Sequence, residues 1–438
     1  MREQNPSHFC ALALCAVCEN KLSNRDLGPD SSNRDKVDWV MELLGMNRMT
    51  AQKGVSNAMD ALNGVYFTRN GKSYTFLHSL FEDIVTFILG EESTVFLFKY
   101  CSSTFLRSHV KIVDTRANAG EHVIMLERSE YKDLAERMCQ ELRKNNIEDI
   151  FYHSALGNKH FLKIFMNECS KDKIVEYANE MNIPLLAWSC RVEMFRLTLA
   201  LLKEGAALNI CDETKRSALM WVCRNNFRAK DQICDIAKRL LNAGADARLI
   251  DNRNYNALLY AIRKGDVHIV RDLLAHGACV KEVSSKLSPL SMAVKSALKH
   301  KRTHFESAPG QNQSDQYSTK IVTLLLEHGA DPNFGDAGDK TMLYQSVSHS
   351  NIAISKCLLQ HGADVGLSNT LNEDLLCCAI SNCSLELVEL LLDKNVSVNN
   401  HDGFSKSPLH LAVIKDNSDL VTLLIKRGAC VNSKDSGR

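Results

Sequence analysis

Apolar residues in the second half of the chain recur as two short blocks separated by polar residues. The clearest example is segment 407–428, where a Leu-His-Leu-Ala block and a Leu-Leu-Ile block both have helical spacing. Pro408 lies at the start of the first block and Gly428 follows the second, and these residue types favour the first turn and the end of a helix. The segment predicts two short amphipathic helices joined by a tight turn.

The same pair of blocks recurs along the chain at a regular interval. A glycine, or once an asparagine, follows each Leu-Leu or Leu-Ile pair, at Gly205, Gly244, Gly277, Gly329, Gly362, Asn395 and Gly428. The intervals are 39, 33, 52, 33, 33 and 33 residues. A candidate helix N-cap precedes the first block of six copies, at Ser217, Asn256, Ser288, Thr341, Asp374 and Ser407. Because one helix pair cannot bury its own apolar face, the copies predict a stack.

The 33-residue period, the Ser-Pro-Leu-His block and the Leu-Leu-x-x-Gly-Ala tail resemble ankyrin repeats. The resemblance implies a mainly α fold, with an ankyrin-repeat solenoid of helix pairs and hairpin loops over residues 183–438. About seven repeats are expected: six from about Asn209 and a weaker one at 183–205. Insertions near 227–232 and 295–318 fall between the two helices of a repeat. The basic start of the longer insertion is expected to extend a helix, and the rest to form a mobile loop.

Residues 1–145 begin with apolar residues at helical spacing and then change to an alternation of apolar and polar residues. Helices are predicted at 9–21, 36–44, 50–62 and 79–89, and alternating runs at 65–69 and 72–76 flank Asn70-Gly71. Asn-Gly between alternating runs is a strong hairpin signal. This order predicts a small winged-helix-like α+β domain. Residues 146–182 are predicted to be a helical bridge or degenerate capping repeats.

Three short marks in this region carry a second resemblance. The region resembles the C-terminal part of a novel STAND NTPase, family 3, in three short motifs. These are the hairpin that leads into Phe76-Leu77-His78, the Lys-Tyr-Cys-Ser-Ser stretch at 99–103 and the Leu-Ala-Glu-Arg helix at 134–137. The resemblance covers about residues 9–170. It implies that His78 is a candidate nucleotide sensor, although Ser79 follows it where the related pattern more often has an acidic residue. It also implies a nucleotide-binding domain upstream in a longer product.

Composition excludes several classes of function. The 438 residues carry a net charge of only +1, whereas a nucleic-acid-binding protein is typically basic. The predicted recognition helix offers Lys53 and carries Asp60, so DNA binding is only a weak alternative. The 16 cysteines show no pairing pattern and favour a reduced, cytoplasmic setting. The apolar run Phe9–Cys18 is too short to span a membrane and predicts a buried helix.

No catalytic or cofactor motif is complete. Gly71-Lys72-Ser73 lacks the glycine that a phosphate loop needs five residues earlier, where Tyr66 stands. The Cys15–Cys18 pair has no second pair to complete a zinc site. We therefore expect neither enzyme activity nor a metal or cofactor in this chain.

The sequence predicts a protein–protein interaction scaffold. In the resembled family it would be the partner-sensing part of a STAND-type signalling or innate-immune-like protein; the alternative is part of an ATP-dependent switch whose nucleotide domain is missing. Only a short polar tail follows the last apolar face, which predicts further repeats in a longer product. Arginine and aromatic residues favour binding hot spots. The predicted partner-binding patch, on loop tips and groove-facing helix positions, comprises Arg216, Trp221, Arg224, Arg253, Tyr255, Tyr260 and Arg263.

Overall fold

The computed structural model describes residues 5–18, 20–28, 31–113, 123–225, 230–281, 288–302, 312–335, 341–366, 374–400 and 406–433. The chain divides into two compact units, Met1–Ala206 and Ala207–Arg438. This boundary lies later than residue 183, where the sequence pattern places the first repeat. The helix pair of that weak repeat therefore belongs to the first unit.

The first unit opens with helices and a small sheet. Its first elements are α1 (Pro6–Val17), β1 (Leu22–Ser23), α2 (Arg34–Leu43), α3 (Arg48–Leu62), β2 (Phe67–Asn70), β3 (Ser73–Phe76) and α4 (Ser79–Glu92). The strands form an antiparallel sheet in the order β1-β3-β2. The apolar run is confirmed as a helix that is buried over most of its length. Strand β1 was not predicted from the sequence, because a strand of two residues is too short to show an alternating pattern of apolar and polar residues. The winged-helix assignment of this module stays a prediction.

The hairpin is present, but its turn lies one residue later than predicted. Asn70 pairs with Ser73, so the two-residue turn is Gly71-Lys72 rather than Asn70-Gly71. Of the two turn residues only Gly71 has a positive φ, at 66°. A positive φ at the first central position is the pattern of a type II′ turn, which requires glycine there. The Gly-Lys-Ser triplet thus lies in a hairpin, not in a strand-to-helix loop.

The remainder of the first unit is mainly helical. It contains α5 (Thr94–Tyr100), α6 (Ser103–His109), β4 (Val110–Ile112), β5 (Ile124–Leu126), α7 (Tyr131–Arg143), α8 (Ile147–Phe151), α9 (Lys159–Lys171), α10 (Ile174–Glu180), α11 (Leu185–Arg191) and α12 (Phe195–Lys203). Strands β4 and β5 pair in parallel. Helices α7 and α9 pack together around the buried rings of Tyr131, Phe161 and Phe165. Residues 146–182 are helical, as predicted.

The described residues of the second unit form six helix pairs. They are α13 (Ala218–Arg224) with α14 (Lys230–Asn242), α15 (Ala257–Lys264) with α16 (Val267–Ala275), α17 (Pro289–Arg302) with α18 (Asn312–Glu327), α19 (Met342–Ser348) with α20 (Ile352–Gln360), α21 (Leu375–Ser381) with α22 (Leu385–Leu392), and α23 (Pro408–Ile414) with α24 (Ser418–Lys426). First helices pack against first helices, and second helices against second helices. The unit is therefore a two-layered helical stack.

Local sequence signals set the ends of these helices. The side chains of all six predicted N-cap residues accept a hydrogen bond from the backbone three residues later, as Asn256 does from Leu259 N at 2.9 Å. Every glycine that follows an apolar pair has a positive φ, between 77° and 96°. Asn395, which replaces glycine once, has a φ of 60°. The left-handed helix end is thus used in every repeat.

Asparagine side chains join the loops of neighbouring repeats. Asn333 Oδ1 accepts a hydrogen bond from Asp364 N at 2.7 Å, and its Nδ2 donates to Gly362 O at 3.3 Å. Asn399 Oδ1 accepts a hydrogen bond from Cys430 N at 2.8 Å in the same way two repeats later. Each bond links the end of one second helix to the end of the next. The repeat spacing is therefore held by polar contacts as well as by apolar packing.

The insertions are partly helical. Helix α17 continues to Arg302, so the basic first part of the longer insertion extends the helix as predicted. Helix α18 already begins at Asn312, which corrects the prediction that the insertion beyond its basic part is a loop. Residues 303–311 of the predicted loop lie outside the described residues. Residues 227–229 of the shorter insertion also lie outside the described residues, and its last part belongs to α14.

None of the helices described is both long enough and apolar enough to cross a membrane. All 16 cysteines are described, and none of them forms a disulfide.

The glycines with a positive φ allow a direct test of whether the left-handed backbone conformation ends each second helix. Gly362 has a φ of 87°, whereas Gly335 does not have a positive φ, and at neither glycine would an added Cβ meet another atom within 4 Å. We expect Gly362→Ala to destabilise the second unit by roughly 1 kcal/mol, because only the left-handed backbone opposes the new methyl group. Hydrogen exchange of peptides from α20 and α21 measures the change. The matched control Gly335→Ala should leave it near zero, and equal effects would contradict the backbone explanation.

Candidate partner-binding site

Two aspartates organise the loops that precede the first helices α13 and α15. Asp212 and Asp251 each accept, through Oδ1, a hydrogen bond from the backbone N–H two residues later, at 2.9 and 2.8 Å. Each also accepts from the N–H four residues later, at 3.0 Å in both loops. Between these donors the chain passes through a positive φ, at Lys215 (58°) and Asn254 (59°). The two loops are therefore built in the same way.

The second oxygen of each aspartate holds an aromatic side chain of the following helix. Asp212 Oδ2 accepts from Trp221 Nε1 at 2.8 Å, and Asp251 Oδ2 accepts from Tyr260 Oη at 2.6 Å. In both repeats the aromatic residue stands nine positions after the aspartate. Each aspartate thus ties a loop to the helix that follows it.

Arg216 connects the two repeats. Its Nε donates to Asp251 Oδ2 at 2.9 Å and to Tyr260 Oη at 3.0 Å. Its guanidinium carbon lies 5.1 Å from the centre of the Trp221 ring, within cation–π range. The side chains of Arg216 and Asp251 are only 7% and 0% exposed. The cluster Asp212, Arg216, Trp221, Asp251 and Tyr260 is called the inter-repeat polar network below.

Burial and pairing shift the pKa values within this network. Burial alone would raise the pKa of Asp251, but hydrogen bonds from Tyr260, from the backbone and from Arg216 outweigh it and lower this pKa below its usual value. Burial, together with the hydrogen bond to Asp251, raises the pKa of Tyr260. Burial would lower the pKa of Arg216, yet its bonds to Tyr260 and Asp251 raise it overall. The ionised aspartate, the neutral phenol and the charged guanidinium are therefore the favoured forms.

The structure places the seven predicted patch residues in two different environments. Arg216, Trp221 and Tyr260 are buried, with 6%, 6% and 5% exposure, instead of lying on the surface as predicted. The physical reason is the aspartate partners, which satisfy their polar atoms inside the stack. Arg224, Arg253 and Arg263 are exposed and Tyr255 is partly exposed. The role of the patch in partner binding stays a prediction.

The exposed residues rest on the buried ones. The Arg224 guanidinium carbon lies 4.8 Å from the centre of the Trp221 ring. The rings of Tyr255 and Tyr260 are 5.3 Å apart between centroids. Arg263 follows Tyr260 by three positions on α15, so both lie on one side of that helix. The polar network therefore supports the surface formed by Arg224, Arg253, Tyr255 and Arg263, which is called the arginine surface below.

Sequence reasoning missed Asp212 and Asp251, which hold the site together. A signal for them exists, because an aspartate stands nine residues before an aromatic residue in two repeats. Asp336 and Asp402 stand at the corresponding positions of later repeats but lie outside the described residues. In those repeats the residue nine positions later is Gln345 or Leu411, so the complete pattern is confined to the first two.

In the first unit, the candidate nucleotide sensor has a local structural role. His78 is the N-cap of α4, and its Nδ1 accepts a hydrogen bond from Leu80 N at 3.1 Å. Its side chain is exposed, so Nε2 is the ring nitrogen left for a ligand. On the predicted wing, Arg69 forms an ion pair with Asp60 at 3.5 Å. The sensor role stays a prediction.

A mixed-charge cavity of about 470 Å³ also lies in the first unit. Its lining includes Glu82, Tyr100, Arg137 and Glu141. Arg137 contacts Glu141 at 2.8 Å and donates to Cys101 O at 3.0 Å, so its charge is compensated within the protein. In the part of the chain that the structure describes, no three His, Cys, Asp or Glu side chains are grouped to hold a metal ion.

The comparison with family models agrees with this architecture. The family model of ankyrin repeats matches in three copies, at residues 186–284, 228–303 and 363–435. The comparison with curated proteins found no match. Among solved structures, the chain is similar to the crystal structure of the human ASB11 ankyrin repeat domain, at 22% identity and a TM-score of 0.40, covering 55% of this chain and 96% of that chain. The chain contains ankyrin repeats, which generally mediate protein–protein interaction.

The inter-repeat polar network predicts a large cost for removing its aspartate. We expect Asp251→Ala to destabilise the second unit by about 3 kcal/mol, because Arg216 is left buried without its counter-charge. Hydrogen exchange of peptides from α13 and α15 in the full chain measures this loss. Asp235→Ala is the matched control, since Asp235 pairs with Arg239 on an exposed helix face and should cost less than about 1 kcal/mol. A cost for Asp251→Ala as small as the control would contradict the network.

The lowered pKa of Asp251 predicts a dependence on pH. Its ionised form stabilises the folded state above the pKa of about 3.9 that an unfolded aspartate has. That stability is lost as the pH falls through the lower pKa of the folded state. The advantage of the wild-type protein over Asp251→Asn should therefore be constant near neutral pH and shrink below about pH 4. Unfolding in urea at a series of pH values measures it, and an advantage that grows in acid would contradict the assignment.

Proposed function

We propose that this chain is a protein-binding scaffold that engages its partner through the arginine surface. The observation that carries the proposal is that, in the first two repeats of the second unit, buried side chains hold exposed arginines in place. Trp221, Tyr260 and Arg216 are fixed inside the stack, and Arg224, Arg253 and Arg263 extend from that fixed base. A preorganised surface loses less side-chain entropy on binding than a mobile one.

The chemistry of the surface favours an acidic partner segment. Arg224 and Arg263 occupy equivalent positions on helices of adjacent repeats, and packed helices lie about 10 Å apart. Arginine binds carboxylates through paired hydrogen bonds, so two arginines at this spacing suit two acidic side chains on one extended segment. Tyr255 supplies a partly exposed ring beside them for an apolar or aromatic side chain. We infer a linear segment with acidic residues near an aromatic one.

A peptide-display selection against the full chain tests this proposal. We expect enriched peptides to combine Asp or Glu with an aromatic residue, and their binding to fall at least tenfold in the Arg224→Ala/Arg263→Ala variant. The control is Arg239→Ala, an exposed arginine on the second helix α14, which should bind as the wild type does. Enrichment of basic peptides, or equal binding by both variants, would contradict the arginine surface.

We also infer, from the resemblance of residues 9–170, a role as the sensing part of a STAND-type signalling protein in the cytoplasm. The element order α1-β1-α2-α3-β2-β3 with its antiparallel sheet supports it, and so does the position of His78 at the end of the hairpin. In this role the ankyrin repeats bind the partner, and the first unit belongs to a switch whose nucleotide domain lies elsewhere.

Calorimetric titration of the 438-residue chain with ATP separates the scaffold from the switch. A scaffold of this kind should give no binding heat up to millimolar ATP, because its Gly-Lys-Ser triplet lies in a hairpin. Saturable ATP binding that His78→Ala weakens would instead establish a nucleotide role for the first unit. A mobility shift of duplex DNA that declines steeply with salt would revive DNA binding.

A further inference from the structure

The residue seven positions after the N-cap is the first exposed position of helices α13 and α15. In α13 the preceding residues Ala218–Cys223 are all buried, and Arg224 is exposed. In α15 the preceding residues Ala257–Ile262 are buried in the same way, and Arg263 is exposed. A partner that contacts these two helices therefore meets an arginine on each of them.

A third cation continues this pattern in the next repeat. Lys295 stands seven positions after Ser288, the N-cap of α17, and is partly exposed. Helix α15 packs against both α13 and α17, so the three cations occupy equivalent positions on adjacent helices. The residues Arg224, Arg263 and Lys295 are called the basic column below. In the next three repeats the corresponding residues are the uncharged Ser348, Ser381 and Ile414, so the basic column ends at α17.

Contacts within the protein fix the spacing of the first two cations. Lys264 Nζ donates a hydrogen bond to the carbonyl oxygen of Asn225, so the helix ends that carry Arg224 and Arg263 are joined. Asp266, the next acidic residue in the chain after Arg263, is buried and caps α16 through its Oδ1. The column is therefore a regular row of positive charge that the stack itself positions.

We propose that the basic column binds a segment in the polyproline II conformation with an acidic residue at every third position. The inference rests on the proposed function, because it gives the acidic partner segment a spacing and a length. Packed helices lie about 8–10 Å apart. A polyproline II chain has three residues per turn and rises about 3.1 Å per residue, so every third residue lies on one side, about 9 Å apart. Three carboxylates within seven residues then meet the three cations.

The other regular conformations match the column less well. In a β-strand, residues on one side are about 7 Å apart, or about 13 Å if every second one is skipped. On an α-helix, neighbours on one side are about 5–6 Å apart, and residues seven positions apart are separated by about 10.5 Å. A helix with that acidic spacing needs fifteen residues to reach all three cations, whereas a polyproline II segment needs seven. The shorter segment orders fewer residues for the same charge contacts and so loses less conformational entropy.

Three peptides of fifteen residues and identical composition test the spacing. Each contains three glutamates and one tyrosine in a background of alanine and serine, with the glutamates two, three or seven positions apart. In fluorescence anisotropy, we expect the full chain to bind the peptide with spacing three at least fivefold more tightly than the other two. Equal binding of all three would overturn the inference and leave the proposed acidic partner intact. Binding no better than that of glutamine-substituted peptides would contradict both proposals.

The middle glutamate tests the register, because it meets Arg263 whichever way the peptide runs. Arg263→Glu should weaken the peptide with spacing three at least tenfold, and lysine in place of the middle glutamate should restore binding to within about threefold. The same lysine peptide should not restore binding to Lys295→Glu, which faces an end of the segment. Arg239→Glu, at an exposed position of α14, is the matched control and should bind the original peptide as the wild type does. Equal rescue of Arg263→Glu and Lys295→Glu, or rescue of neither, would overturn the proposed arrangement.

Discussion

The burial of each helix pair against its neighbour is the constraint on which the second unit depends. A pair of helices of seven to nine residues, such as α19–α20, is too short to be stable alone in water. Its apolar positions become buried only when the next pair covers them, as Val347 and Leu359 are. The left-handed glycine or asparagine after each second helix and the N-cap before each first helix return the chain at a regular spacing. Because the helices end at equivalent positions in every repeat, successive helix pairs can pack against each other in the same way.

Polar contacts add specificity to this apolar stack in the first two repeats of the second unit. Asp212 and Asp251 shape their loops and tie them to Trp221 and Tyr260, and Arg216 links one repeat to the next. A buried ion pair adds little net stability, but it costs much to disrupt and so fixes one arrangement. That fixed arrangement positions the arginine surface. The proposed binding surface thus rests on the side chains that hold the two repeats together.

The repeat architecture was predictable from sequence because its signals are local and periodic. N-caps such as Thr341 and helix ends such as Gly362 are confirmed at their predicted positions, and so are the lengthened helix α17 and the hairpin. The exact hairpin turn was not predictable, because Asn70-Gly71 and Gly71-Lys72 are both suitable turn pairs and only strand register decides between them.

The sequence predicted which residue types form the candidate site, but it did not predict which of them are exposed. Arginine and aromatic residues at loop tips indicated a surface patch, yet burial of Arg216, Trp221 and Tyr260 follows from contacts with Asp212 and Asp251 across loops and repeats. Such contacts depend on which side chains the stack brings together, and periodicity alone does not specify them. Similarly, the apolar residue Val413 repeats the pattern of Ile380, and only the stack shows that one is covered and the other exposed.

Amide hydrogen exchange along the second unit of the full chain tests the central claim most directly. If each helix pair is stabilised by its neighbours on both sides, α19–α22 should be strongly protected, and α23–α24, which has a neighbour on one side, should exchange measurably faster. Equal protection of α23–α24 and of the interior pairs would contradict the account, because it would show that a pair does not need a covering neighbour.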